Sequence, residues 1–145
     1  MAANLKALVI AVLTALAISL PITAAYAAPA DRGPSILSEA QTRTGDWYAY
    51  GTAGPSEFDC SGLVYWAARQ VGISLPRDTY GMLASGHLAR TYHPVAGDLA
   101  FYGTGHVELV AHGHDVTFGA QQSGTQVGYH TWNSWWRPTM FFRVW

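Results

Sequence analysis

Phe58-Asp59-Cys60-Ser61-Gly62-Leu63-Val64-Tyr65-Trp66-Ala67-Ala68 carries the chain's only cysteine into the start of an apolar run with helical character. Cys60 falls in or just before the first turn of that helix, which is expected to run to about residue 71 and stop at Gly72. The free N–H groups and positive dipole end of a helix stabilise an anion. For a thiol the consequence is a lowered pKa and more thiolate, the form that attacks carbonyl carbon. Cys60 is therefore a candidate nucleophile, set against the common fate of an unpaired cysteine as a small buried hydrophobe.

Upstream, residues 51–57 form a Gly/Pro/Ser loop that delivers the chain to Cys60. Ser35 is expected to cap a short helix over residues 36–42 that ends near Gly45. Downstream, Asp78 is expected to cap a short helix over residues 79–84. Past Pro94 the pattern changes to short strands separated by turn residues. They are expected at residues 98–102, 107–111, 116–120, 127–132 and 140–144. His112-Gly113-His114-Asp115 is the expected turn of an antiparallel hairpin. Helices first and strands afterwards predict an α+β domain with a sheet of about five strands.

The first 30 residues read differently. Lys6 is the only early charge, and residues 7–20 are an apolar run of about 14 residues, the size of a signal-peptide core and short for a membrane span. Pro21 breaks the run, and Ala25-Tyr26-Ala27 supplies small residues at a cleavage site. The expected organisation is a signal peptide over 1–27, an N-terminal segment and first helix over 28–44, and one domain over 45–145. Export would make the protein extracellular or wall-associated. An odd cysteine in an exported protein points to an intermolecular bridge or a functional thiol.

Cleavage after Ala27 leaves about 118 residues, the size of one compact domain. That part has seven arginines, no lysine and nine acidic side chains, without a basic patch, so nucleic acid is not an expected partner. A monomer is expected. Trp47, Tyr48, Tyr50, Trp132, Trp135 and Trp136 form two aromatic clusters that suit either a cleft or a core. Core is the expectation for most of them.

A nucleophilic cysteine needs a base beside it and a third group to hold that base. Gly105-His106-Val107-Glu108 places His106 at the start of a strand, with Glu108 on the same face two residues along. His112 and His114 raise a metal alternative with His106 and Glu108. Six residues of strand separate the pairs by roughly 20 Å, too far to converge on one ion. No metal and no cofactor are expected.

Tyr48-Ala49-Tyr50-Gly51, the Asp59-Cys60-Ser61-Gly62 stretch, Leu75-Pro76-Arg77, Gly97-Asp98-Leu99 and Gly105-His106-Val107 occur in the order and rough spacing of the NlpC/P60 family, which the chain resembles over about residues 45–120. The resemblance implies a papain-like α+β fold with the cysteine on a helix and the histidine on the adjacent sheet. It implies a cysteine peptidase that hydrolyses amide bonds in peptidoglycan stem peptides, commonly between γ-D-glutamate and a diamino acid. By position Cys60 matches the nucleophile, His106 the base, and Tyr48 a tyrosine beside the nucleophile whose phenol faces the oxyanion or the substrate. Asp59 and Ser61 are expected to shape the helix start. Two alternatives stay open: a wall-binding protein without activity, and a Cys-His amidase acting on another wall or non-wall amide.

The chain departs from the family at the third group. The family's polar residue, about a dozen positions after the base, falls here on Phe118 or Gly119. Neither side chain orients an imidazole. Glu108 is the nearest substitute. Gln121 would reach the site if Gly119 marked a bulge. A backbone carbonyl or a water would also serve.

Overall fold

The computed structural model describes residues 30–113 and 115–145. The expected signal segment and His114 lie outside them. Among the described residues three helices precede the main sheet: α1 (Gly33–Gln41), α2 (Cys60–Gln70) and α3 (Thr79–Ala84). A two-residue parallel pair, β1 (Trp47–Tyr48) and β2 (Glu57–Phe58), braces the loop leading into α2. The main sheet is antiparallel and contains β3 (Leu88–Thr91), β4 (Leu99–Tyr102), β5 (His106–Val110), β6 (Val116–Gly119), β7 (Gly128–Thr131) and β8 (Met140–Val144), in the order β3-β8-β4-β5-β6-β7. The fold is α+β as expected.

The sheet has six strands rather than about five. The additional strand, β3, is an edge strand paired only with β8. Helix α1 also begins earlier than residue 36. Pro34 occupies its first turn, where a missing N–H costs nothing, and Ser35 provides no cap. Gly33 is required there by crowding, since a Cβ on it would stand 2.5 Å from the carbonyl oxygen of Gly97.

Alternation divides the sheet residues between two environments. Leu99, Phe101, Val107, Leu109, Phe118 and Val144 join Ile36, Leu63, Val64 and Ala67 of the helices in one apolar core. The alternate positions Tyr102, His106, Glu108 and Thr117 are also buried, but they carry polar groups. α2 packs against β5, which brings its N-terminus toward His106. At the far side of β4, buried Asp98 accepts two 3.0 Å hydrogen bonds from Arg143 of β8, so this aspartate locks strands together.

The aromatic clusters do not form the core. None of Trp47, Tyr48, Tyr50, Trp132, Trp135 and Trp136 is buried. The core is filled instead by aliphatic side chains with Phe58, Phe101 and Phe118. Tyr48 and Tyr50 line the cleft, and Trp136 lines a pocket on its flank.

Candidate active site

Asp59 caps α2 and makes Cys60 its first residue. One carboxylate oxygen accepts from the Gly62 N–H at 2.7 Å, and the other accepts from the Gly51 N–H at 2.8 Å. Arg77 clamps the same carboxylate with bonds of 3.0 and 2.8 Å and reaches the Thr52 carbonyl and the Ser61 hydroxyl. Asp59 and Ser61 thus shape the helix start, as expected from sequence. Arg77 is engaged in the same task. Gly62 has to be glycine, because a Cβ there would lie 2.1 Å from the Thr52 carbonyl oxygen.

Cys60 is half-buried at the head of an open cleft of about 510 Å³, which Tyr48, Tyr50, Arg77, Tyr80 and His106 help to line. Burial alone would raise the thiol's pKa. The hydrogen bond and charge of His106, with a further bond from the Val107 N–H, outweigh it and lower the pKa below its ordinary value. Tyr48 shares the cleft. Burial, then the negative charge of Cys60, raises its phenol, which therefore keeps its proton as a donor.

His106 is held from its other side. Its Nε2 donates to Glu108 Oε1 at 2.9 Å, leaving Nδ1 for the thiol. Burial would lower the imidazole's pKa, but bonds to Cys60 and Glu108 together raise it to about 9. Glu108 is 0% exposed. Burial would raise its pKa, but bonds from His106, His130 and Thr117 pull it down to about 2. These shifts favour the thiolate at Cys60 beside an imidazolium at His106 and a carboxylate at Glu108. Trp136 covers the flank, with its ring centroid 5.4 Å from that of His106 and 4.7 Å from that of Tyr102.

The sheet register explains the departure at position 119. β5 and β6 pair Leu109 with Phe118 and Val110 with Thr117, so Glu108 faces Gly119 across the ladder. A Cβ on Gly119 would stand 2.6 Å from Glu108 Cγ. The missing side chain at 119 is the space into which Glu108 folds. Phe118, on the opposite face, belongs to the core. Gln121 is not brought to His106: β6 pairs β7 without an inserted residue through Gly119–Gly128, and Gln121 lines a separate pocket beside His130 and Trp136. Among the described residues, no group of three or more His, Cys, Asp or Glu side chains is arranged to hold a metal ion.

Sequence reasoning missed Thr117 and His130, and gave Trp136 only as one of an aromatic cluster suited to a cleft or a core. The first two lie 9 and 22 residues from Glu108 in the chain, and only the strand register brings them to it. No local pattern marks either.

This arrangement sits in a recognisable sequence frame: residues 45–144 match the model of the NlpC/P60 family. The chain belongs to the NlpC/P60 family. A probable endopeptidase of Corynebacterium glutamicum is 40% identical over 121 residues, covering 81% of this chain and 57% of the relative. The probable endopeptidase p60 of Listeria monocytogenes is 37% identical over 95 residues, covering 63% of this chain and 19% of the relative. This NlpC/P60 chain thus spans little more than half the length of the first relative and about a fifth of the second. The crystal structure of the NlpC/P60 domain of the peptidoglycan hydrolase SagA superposes with a TM-score of 0.65 at 30% identity, covering 78% of this chain and 97% of that one. The papain-like α+β architecture expected from the sequence is the architecture of this family.

Proposed function

We propose that this protein is an exported cysteine peptidase that hydrolyses amide bonds in peptidoglycan stem peptides, with the γ-D-glutamyl–diamino acid bond as its target. The observation that carries the reading is the imidazole of His106 held between a half-buried thiol at a helix N-terminus and a fully buried carboxylate. The endopeptidase and peptidoglycan-hydrolase names of its relatives supply the substrate class. The leader-like residues 1–27 supply the route out of the cell, and no described helix is long and apolar enough to cross a membrane.

In the proposed cycle the Cys60 thiolate attacks the scissile carbonyl, and Tyr48 with the N–H groups at the start of α2 faces the developing oxyanion. His106 carries the proton, gives it to the leaving amine as the tetrahedral intermediate collapses, and leaves a thioacyl-enzyme. Neutral His106 then takes a proton from water, which attacks the thioester, releases the acid and restores the ion pair. Glu108 keeps Nε2 protonated throughout and so fixes the tautomer that points Nδ1 at sulfur. The orienting group missing at positions 118 and 119 is supplied by Glu108 in this scheme, which weighs against a purely wall-binding protein.

The test is mass spectrometry of purified muropeptides digested by the mature protein, with Cys60→Ala beside it. Fragments split after γ-D-Glu are expected from the wild type and absent from the variant. A different Cys60-dependent cut would keep the chemistry and move the substrate. No cleavage on several wall types, with a free thiol verified, would favour the wall-binding reading.

A further inference from the structure

Glu108 has a second imidazole on it. His130, on β7, lies with Nδ1 3.2 Å from Glu108 Oε2, while His106 holds Oε1. A carboxylate only accepts, so His130 carries its proton on Nδ1. Thr117 donates to the same Oε2, and with its single proton committed there it accepts from the Tyr102 hydroxyl at 3.1 Å. The register builds this arrangement, since Thr117 is paired with His130 across β6 and β7. His130 is the partly exposed end of the chain of bonds, and it opens onto a second pocket of about 540 Å³ on the flank of Trp136.

We propose that His130 is a positioning residue for the catalytic pair: its Nδ1–H fixes the Glu108 carboxylate against Gly119, so that Oε1 stays aligned with His106. This rests on the reading of Cys60 and His106 as nucleophile and base, but not on the identity of the substrate. The titratable groups facing Glu108 are His106 from its own strand, Tyr102 from β4 and His130 from β7. β6 contributes Thr117 and the bare backbone of Gly119. Removing His130 takes away one of the two donors on Oε2 and leaves the carboxylate room to turn. A turned carboxylate holds the His106 imidazolium less well, and the imidazolium in turn holds the Cys60 thiolate less well. The thiolate then forms at higher pH.

The experiment is the pH dependence of Cys60 alkylation by iodoacetamide in wild type, His130→Ala and His130→Asn, with melting temperatures taken in parallel. It needs no wall substrate, so a wild type that cleaves no muropeptide would sink the proposed function and leave this test standing. His130→Ala should move the alkylation midpoint up by about one pH unit. On any substrate that is cleaved, kcat should fall about tenfold with KM little changed, a part of the 10²–10⁴-fold that a positioned base contributes. Asn places an N–H where Nδ1 stood, and His130→Asn should restore most of both. A His130→Ala profile that superimposes on the wild type would overturn the proposal. So would His130→Asn being as impaired as His130→Ala, because the N–H would then not be what matters.

Discussion

Glu108 is ionised although water cannot reach it, a state that persists only when every lone pair facing the protein has a donor. His106, His130 and Thr117 supply those donors. The charge then reaches the imidazole: a carboxylate on Nε2 is one reason His106 is raised to about 9. Glu108→Gln keeps the volume and removes the charge. Its pKa effect has a definite sign, since without the carboxylate the imidazolium loses a proton more easily and His106 moves back toward its ordinary 6.5. The alkaline limb of hydrolysis should therefore shift to lower pH, with kcat reduced about 10²-fold or more. A pH–rate profile of the variant checks this. An alkaline limb identical to wild type would mean that Glu108 does not act on the imidazole.

Gly119 shows how a strand position can serve the site by carrying no side chain. Any Cβ there lies 2.6 Å from Cγ of Glu108, and that contact cannot be relieved without moving the carboxylate or the strand. Gly119→Ala should cost about 1–3 kcal/mol, as overpacking typically does. It should reduce activity more than the stability loss explains, because the displaced group is the one that holds His106. Urea unfolding beside kcat measurement separates the two effects. At the other end of the site, Asp59→Ala removes the cap of α2, for which about 1–2 kcal/mol is expected. It also frees Arg77, so alkylation of Cys60 should change along with the melting temperature. α2 and α3 are legible because their signals are local: Asp59 and Asp78 lie beside the turns they cap, whereas α1 has no side-chain cap to mark its start. The helix expected over residues 79–84 has those ends. β3 was not legible, because four residues at the sheet edge are defined by pairing with the far C-terminal strand. His130 and Thr117 were hidden for the same reason, whereas Glu108 was visible as the same-face neighbour of His106.

At the scale of the whole molecule, the buried site ties stability to pH from both directions. His106 is raised above its unfolded value of 6.5, so its contribution is fully present below about pH 6.5 and is lost as pH rises through about 9. Glu108 is depressed below its unfolded value of 4.5, so its contribution is present above about pH 4.5 and is lost as pH falls through about 2. The two overlap fully between about pH 4.5 and 6.5, which is where the site contributes most to the fold. Catalysis has a different window, since it needs the thiolate formed and the imidazolium still protonated. Its upper edge lies near the His106 value of about 9, beyond the pH at which the stabilising contribution has begun to fall. On the proposed function, the protein should therefore still turn over substrate on the alkaline side of its stability maximum. Melting temperatures from pH 2 to 10 for wild type and Glu108→Gln separate this from the titration of the surface. Their difference should be largest between about pH 4.5 and 6.5, and should shrink toward pH 2 as the wild-type carboxylate takes up its proton. A difference that stays constant down to pH 2 would mean that the buried carboxylate is not the source of the acid-side loss.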